Sequence, residues 1–177
     1  MMPAPHHLEP ALPDGQAAEL AAAAALLPLQ PHAIQSPVAA GVCWRCDLAL
    51  PAPGDLRAPR ALAALRPLLE ETIPALASRA LGRTLRPARP GVGSFWALRK
   101  GAWYARAASE DVGVTALLEL TGAAWPALWG GHLQSGAHTW ALGWDRLSLL
   151  EARQPLSVSL LTRHVEATFL HIPLVGG

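Results

Sequence analysis

The chain has 177 residues, of which 51% are hydrophobic and 15% charged, and its formal net charge is +1. This composition is too apolar and too weakly charged for an intrinsically disordered chain. The length favours one domain with a sizeable hydrophobic core. The excess of alanine, proline and arginine is typical of a GC-rich gene, and we expect a bacterial source.

The most apolar run, residues 17–29, does not predict a membrane span. Glu19 and Pro28 interrupt it, and it is shorter than the roughly 20 residues that cross a bilayer. The N-terminal sequence MMPAPHHLEP lacks the basic and apolar segments of a secretory signal. We therefore expect a cytoplasmic protein that does not bind membranes.

The cysteines, Cys43 and Cys46, form one C-x-x-C pattern. Zinc needs further ligands, and the nearest histidine, His32, is at an unsuitable distance for a compact zinc finger. A redox pair usually precedes a helix, whereas here the prolines of DLALPAPG follow. The alternation in VCWRCDL predicts a strand with the cysteines on opposite faces, which favours a structural role.

Residues 1–39 predict an N-terminal helix and a proline-rich connection. We expect the helix over residues 15–27, with Asp14 as its N-cap, and the segment PLQPHAIQSPVAAG as a loop. A first strand is then expected over residues 42–50. From residue 40 to residue 177 the pattern predicts the main β domain.

A second helical pattern covers residues 59–81. Its leucines and Ile73 recur at three- and four-residue steps, as in an amphipathic helix. Pro67 and Pro74 predict a kink or a division into two helices. Gly82 fits the C-terminal end.

Beyond Gly82 the chain predicts short strands separated by Gly, Pro and Asp. Many short strands with regular turn signals indicate a sandwich or barrel. Helices followed by strands give an α+β fold with the N-terminal helices packed on one side of the sheet. The strands are expected over residues 84–88, 93–97, 103–107, 112–120, 133–134, 139–142, 146–151, 157–161 and 165–173.

Several segments occur in an order that resembles the 2-oxoglutarate and iron(II)-dependent oxygenases of the prolyl 4-hydroxylase-like group. They are Leu81-Gly82, Lys100-Gly101 with Trp103-Tyr104 beyond it, VGVTALLELTGAAWPALWGGHL, RLSLLEA, PLSVSLL and HVEATFLHIPL. The resemblance covers residues 40 to 175, and WPALWGG is its most specific part. It implies a double-stranded β-helix, or jelly roll. In that fold Trp125 and Trp129 would close the end of the barrel, and Gly130 and Gly131 would form a tight turn.

The resemblance also implies a metal site, formed by His-x-Asp/Glu from one strand and a distal histidine from a later one, with an Arg or Lys for 2-oxoglutarate. In this sequence the first motif falls on residues 107–109, Ala-Ala-Ser, and the distal position near Leu156. The carboxylate-binding position falls near Glu166, so Arg153 or Arg163 would have to replace it. We therefore expect a degenerate oxygenase-like protein that acts as a binding module or pseudo-enzyme.

Two alternatives stay open. The first is an active oxygenase that binds Fe(II) and 2-oxoglutarate at a rearranged site, with candidate ligands Glu110, Asp111, His132, His138 and His164.

The second alternative is an interaction module. Seven basic residues and no acid lie between Glu71 and Glu110, which suits an acidic protein or a small anionic ligand. Nucleic acid is not expected, and the sequence leaves the oligomeric state open. The predicted binding residues are Tyr104, Arg99, Arg106, Arg153 and Arg163.

Overall fold

The computed structural model describes residues 3–50, 65–110, 112–122 and 124–177. Its helices are α1 (Gln16–Ala25) and α2 (Ile73–Leu81), with a π-helical turn at Leu68–Thr72 and a 3-10 turn at Ala127–Trp129. The strands are β1 His6–Leu8, β2 Gln30–Gln35, β3 Ala39–Ala49, β4 Leu85–Pro87, β5 Val92–Leu98, β6 Trp103–Arg106, β7 Gly113–Leu120, β8 Leu133–Ser135, β9 His138–Trp140, β10 Trp144–Glu151, β11 Leu156–Val158 and β12 Ala167–Gly176. Within these ranges no helix combines the length and hydrophobicity of a membrane span.

In the described residues the strands form one antiparallel 12-stranded sheet. Its order is β1-β10-β7-β12-β5-β3-β6-β11-β8-β9, with β2 beside β3 and β4 beside β12. The sheet curls until its two halves face each other, because side chains of β5, β7 and β12 share an interior cluster with side chains of β8 and β11. This is the predicted jelly roll, and every strand predicted after Gly82 is present.

Strand β7 lies within the roll and is buried on both faces. Ala116 and Leu118 pack in the cluster that contains the helices, whereas Leu117 packs in the interior cluster. A strand covered on both faces reads as a continuous apolar run, which explains the sequence VTALLEL. Leu20 of α1 and Ile73 of α2 cover the first face, so the helices lie on one side of the sheet, as predicted.

The second predicted helix is irregular at its prolines. The described part is helical from Leu65, and a π-helical turn, closed by the bond from Ile73 N–H to Leu68 C=O, lies between Pro67 and Pro74. Since proline has no N–H to donate, Pro74 breaks the regular ladder at this point. Gly82 ends α2 with φ 64°, as predicted. Residues 59–64 of the prediction lie outside the described residues.

Two predictions for the first 41 residues were wrong. Gly15, with φ 83°, occupies the N-cap position of α1, so Asp14 does not cap it. The predicted loop contains β2 and the start of β3, and the N-terminal residues form β1. Among the described strands β2 pairs with β3 alone, and such an edge strand tolerates Pro31 and needs no strict apolar alternation.

The WPALWGG segment forms the predicted corner. The rings of Trp125 and Trp129 meet edge to face at 5.5 Å, and Trp125 Nε1 donates to Gly130 O at 2.7 Å. Gly130 has φ 73°, and a Cβ there would lie 1.8 Å from Leu160 O. Gly131 N–H then donates to Ser159 O at 2.9 Å, which returns the chain to the sheet. Only glycine fits this close approach of two backbones.

Candidate functional site

The interior of the roll contains a cavity of about 240 Å³. Most of its wall is apolar, and a few polar groups converge on it, as in small-molecule sites. The apolar lining residues are Ile34, Trp96, Leu98, Leu117, Leu133, Leu156, Val158 and Phe169. The polar ones are His32, Arg45, Tyr104, Arg106, Thr115 and His171.

Arg106, at the end of β6, is the central charge of this cavity. Its Nη1 donates to Thr115 Oγ1 at 2.8 Å and its Nη2 to Gln154 O at 3.2 Å. Its Nε is buried and has no hydrogen-bond partner among the described residues. Burial lowers the pKa of the guanidinium, partly offset by Tyr104. Because an arginine stays protonated in proteins, Arg106 places a positive charge with an unused donor against the cavity.

His171 supplies a neutral imidazole. Its Nδ1 lies 3.4 Å from Ser94 Oγ, which accepts a hydrogen bond from Trp96 Nε1 at 2.8 Å. Burial, together with the charges of Arg106 and Arg45, lowers the pKa of His171 to about 4. The ring is therefore uncharged at neutral pH and adds no second cation.

The second arginine, Arg45 of β3, already has a counter-ion. Its Nε lies 2.5 Å from Asp47 Oδ1, and its guanidinium lies 5.6 Å from the centre of the Trp96 ring. Trp96 stacks on Phe169 at 5.7 Å and meets Tyr104 edge to face at 5.7 Å. These rings form one wall of the cavity. Burial raises the pKa of Tyr104, so its hydroxyl stays protonated at neutral pH.

The structure brings Tyr104 and Arg106 together at the cavity and leaves the other predicted binding residues outside it. Arg99 is paired with Glu166 at 2.6 Å and lies over the ring of Trp44. Arg153 and Arg163 are exposed.

The proposed rearranged metal ligands are dispersed. Glu110 and His138 are exposed, and the exposed His164 lies 3.2 Å from Lys100 Nζ. His132 is partly buried just before β8. Asp111 lies outside the described residues. Among the residues that the structure describes, no group of three His, Cys, Asp or Glu could hold a metal ion.

The cysteines are free thiols. Cys43 is fully buried in the interior cluster, and burial raises its pKa to about 11. Cys46 is partly buried, and burial raises its pKa as well. The thiolate is the form that attacks electrophiles and binds metals. Because a raised pKa disfavours the thiolate, neither cysteine is activated for nucleophilic attack or metal binding.

A second polar group, the Glu119 cluster, has the buried Glu119 and Ser148 at its centre and also contains the partly buried Trp140 and Arg146 and the exposed His7. Glu119 is fully buried, and Arg146 donates to its Oε2 from Nε at 2.8 Å and Nη2 at 2.6 Å. Gly143 N–H also donates to Oε2, while Trp140 Nε1 and Ser148 Oγ donate to Oε1. His7 Nδ1 lies 2.8 Å from Ser148 Oγ, which joins β1 to the cluster.

The chain was compared with protein families, curated proteins and solved structures. No protein-family model and no curated protein matches the chain. A 2OG-Fe(II) oxygenase family oxidoreductase from Burkholderia pseudomallei has a TM-score of 0.71 at 14% identity, covering 97% of this chain and 84% of that one. A Pseudomonas putida prolyl-4-hydroxylase has a TM-score of 0.65 at 17% identity, covering 98% and 92%. HygX from Streptomyces hygroscopicus, solved with nickel and 2-oxoglutarate, has a TM-score of 0.64 at 12% identity, covering 96% and 82%.

The chain has the 2OG-Fe(II) oxygenase fold. The predicted fold class is therefore confirmed at the level of structure.

The residues at the expected metal position of the oxygenase fold do not fit a facial triad. Ala107 and Ala108 are exposed beyond the end of β6. Leu156, at the expected distal position, is the cross-strand partner of Arg106. Glu166 is exposed and paired with Arg99. The described cavity lining has two imidazoles, two guanidinium groups and no carboxylate, so its charge opposes a divalent cation.

Sequence reasoning missed several important residues. The sequence pattern connects none of His32, Arg45 and His171 to a site. Glu119 was taken as part of an apolar strand. The one available signal was a carboxylate inside the run VTALLEL, because a buried charge requires a partner elsewhere in the chain.

Proposed function

We propose that this protein is a non-catalytic binding protein built on the oxygenase fold, and that its cavity holds a small organic anion. The observation that carries the proposal is Arg106, a partly buried guanidinium whose buried Nε has no hydrogen-bond partner and which has no carboxylate partner among the described residues. An unpaired buried charge is costly, so an anionic ligand would supply the missing counter-ion.

The surroundings of Arg106 support binding rather than oxygenase chemistry. Catalysis by a non-haem iron oxygenase needs two histidines and a carboxylate that leave open positions on iron. Here Leu156, at the position that the resemblance gives for the distal histidine, is an inert side chain, and its neighbour on the adjacent strand is Arg106. The remaining apolar wall excludes water, which strengthens a single ion pair in the cavity.

The test combines a binding arm and a turnover arm on the purified chain. We expect a panel of small organic carboxylates to raise the melting temperature of the wild type, and Arg106→Met to abolish the increase. Arg83→Met is the matched control, because Arg83 is exposed and paired with Glu151. Anaerobic loading with Fe(II), followed by oxygen and 2-oxoglutarate, should release no succinate above the background. Iron-dependent succinate release at enzyme-like rates would overturn the proposal in favour of an active oxygenase.

A further inference from the structure

The charge around the cavity sets the charge of its ligand. The partners of Arg106 are the neutral oxygens of Thr115 and Gln154, which orient the guanidinium without neutralising it. Arg45 is balanced by Asp47, and His171 is neutral above a pKa of about 4. Of the two guanidinium groups that line the cavity, Arg106 is therefore the one with an uncompensated positive charge. A dianion would leave a negative charge unpaired in an apolar enclosure.

The shape of the donor set favours a carboxylate. A guanidinium presents its N–H groups in a planar fork that matches the two oxygens of a carboxylate. Arg106 has used one hydrogen on each of its Nη atoms, and its Nε has no partner in the described part of the chain. Tyr104 lines the same cavity, and its hydroxyl would be a further donor.

The volume of the cavity and its apolar wall determine which group can be attached to the carboxylate of the ligand. A cavity of roughly 150 Å³ lined by aliphatic and aromatic residues takes one benzene molecule. The cavity here has about 240 Å³, which leaves room for one ring and a carboxylate. Trp96 and Phe169 provide a stacked aromatic wall, with Leu117 and Val158 also lining the cavity. Such a wall suits a planar apolar group.

We infer that the cavity binds a one-ring aromatic monocarboxylate, with its carboxylate on Arg106 and its ring against Trp96. This inference rests on the proposed function, since it specifies the ligand of the same cavity. In the structure, Arg106 is the neighbour of Leu156 on the adjacent strand. The anion would thus bind directly to protein donors in the region where the resemblance places a metal.

The experiment is a calorimetric titration of the wild type with benzoate, phenylacetate and 3-phenylpropionate. We expect at least one of these acids to bind with a 1:1 stoichiometry. Benzamide matches benzoate in size without its charge, and phthalate adds a second carboxylate to the same ring. Both should bind at least tenfold more weakly than the best monocarboxylate, and acetate, inorganic phosphate and 2-oxoglutarate should also bind at least tenfold more weakly.

The variants locate the binding site. Arg106→Met should weaken the best acid at least tenfold, Arg106→Lys should recover part of the affinity, and Arg83→Met should leave it unchanged. Phe169→Leu should weaken ring-bearing acids several-fold more than acetate. The comparison of benzoate with benzamide uses the wild type alone, so it holds even where a variant does not fold.

The outcomes separate the two proposals. Binding of 2-oxoglutarate or phthalate in preference to the monocarboxylates, lost in Arg106→Met, would overturn the ligand class and leave the proposed function standing. Binding of inorganic phosphate in preference to every organic acid would overturn both proposals. Equal binding of benzamide and benzoate would also overturn the ligand class. Absence of binding by every anion would overturn both proposals.

Discussion

On the same interior face of β7, Thr115 lines the Arg106 cavity and Glu119 forms the centre of the Glu119 cluster. Both regions place a guanidinium inside the roll. Arg146 meets a carboxylate that is itself saturated with donors, whereas Arg106 meets only a hydroxyl and a backbone carbonyl. The Glu119 cluster is therefore complete within the folded chain. The Arg106 cavity has binding capacity that the described chain does not use.

Glu119→Gln keeps the side-chain shape and removes the charge. It should have the largest effect among the variants that test the difference between the Glu119 cluster and the Arg106 cavity. Arg146, only 18% exposed, would lose its buried counter-ion. We expect the free energy of unfolding, measured by urea denaturation, to fall by about 3–5 kcal/mol. Glu166→Gln, which removes an exposed partner of Arg99, should cost less than about 1 kcal/mol. Equal effects of the two substitutions would contradict the contrast.

The pH dependence of stability tests whether the imidazole of His171 is neutral in the folded protein. The pKa of His171 is about 4 in the folded protein, below the ordinary value of 6.5, so the unfolded chain takes up the proton first as the pH falls. The contribution of the neutral His171 to the free energy of unfolding should be fully present above pH 6.5. It should decrease by about 3 kcal/mol as the pH falls towards 4. His171→Gln should show a shallower decrease than the wild type in denaturation at each pH. Parallel curves would show that His171 is charged or solvated in the folded protein.

His7→Ala probes the link between β1 and the Glu119 cluster. The substitution removes the hydrogen bond to Ser148 and the edge-to-face contact with Trp140. We expect a loss of about 1 kcal/mol in urea denaturation. The neighbouring His6, which is exposed, provides the control, and His6→Ala should change stability by less than about 0.5 kcal/mol. A similar loss in both variants would place the effect in β1 itself rather than in its histidine contact.

Arg106→Met should have the smallest effect on stability in the absence of ligand. Removing an unpaired buried charge relieves its desolvation, which offsets the loss of its two hydrogen bonds to neutral groups. We expect the free energy of unfolding to change by less than about 1 kcal/mol. Arg146→Met should instead cost about 3 kcal/mol or more, because it leaves Glu119 charged and buried. A comparable loss in both variants would make Arg106 a structural residue.

The sequence was most informative where local pattern and packing agree. Gly130 and Gly131 follow two tryptophans, and only a corner with two close backbones explains that order. The apolar run of β7 predicts a strand, which the structure confirms, and the structure adds that both faces of this strand are buried. These features depend on residues that are neighbours in sequence.

The elements that sequence reasoning missed depend on distant partners. β2 carries Pro31 and exposed polar residues, and its pairing comes from its neighbour β3. The Arg106 cavity takes Arg45, Arg106 and His171 from three strands far apart in the chain. Nothing in the spacing of these residues indicates that they meet, because curvature of the sheet brings them together.

The pairing of β1 with β10 has a practical consequence for handling the protein. β10 is flanked by β7 on one side and by the three residues of β1 on the other. Trimming the first dozen residues would leave a long apolar strand with open backbone donors and acceptors, a surface on which other chains can add and aggregate. Fusions and cleavage sites should therefore leave His6–Leu8 and the hydrogen bonds from Ala11 and Leu12 to Asp145 intact.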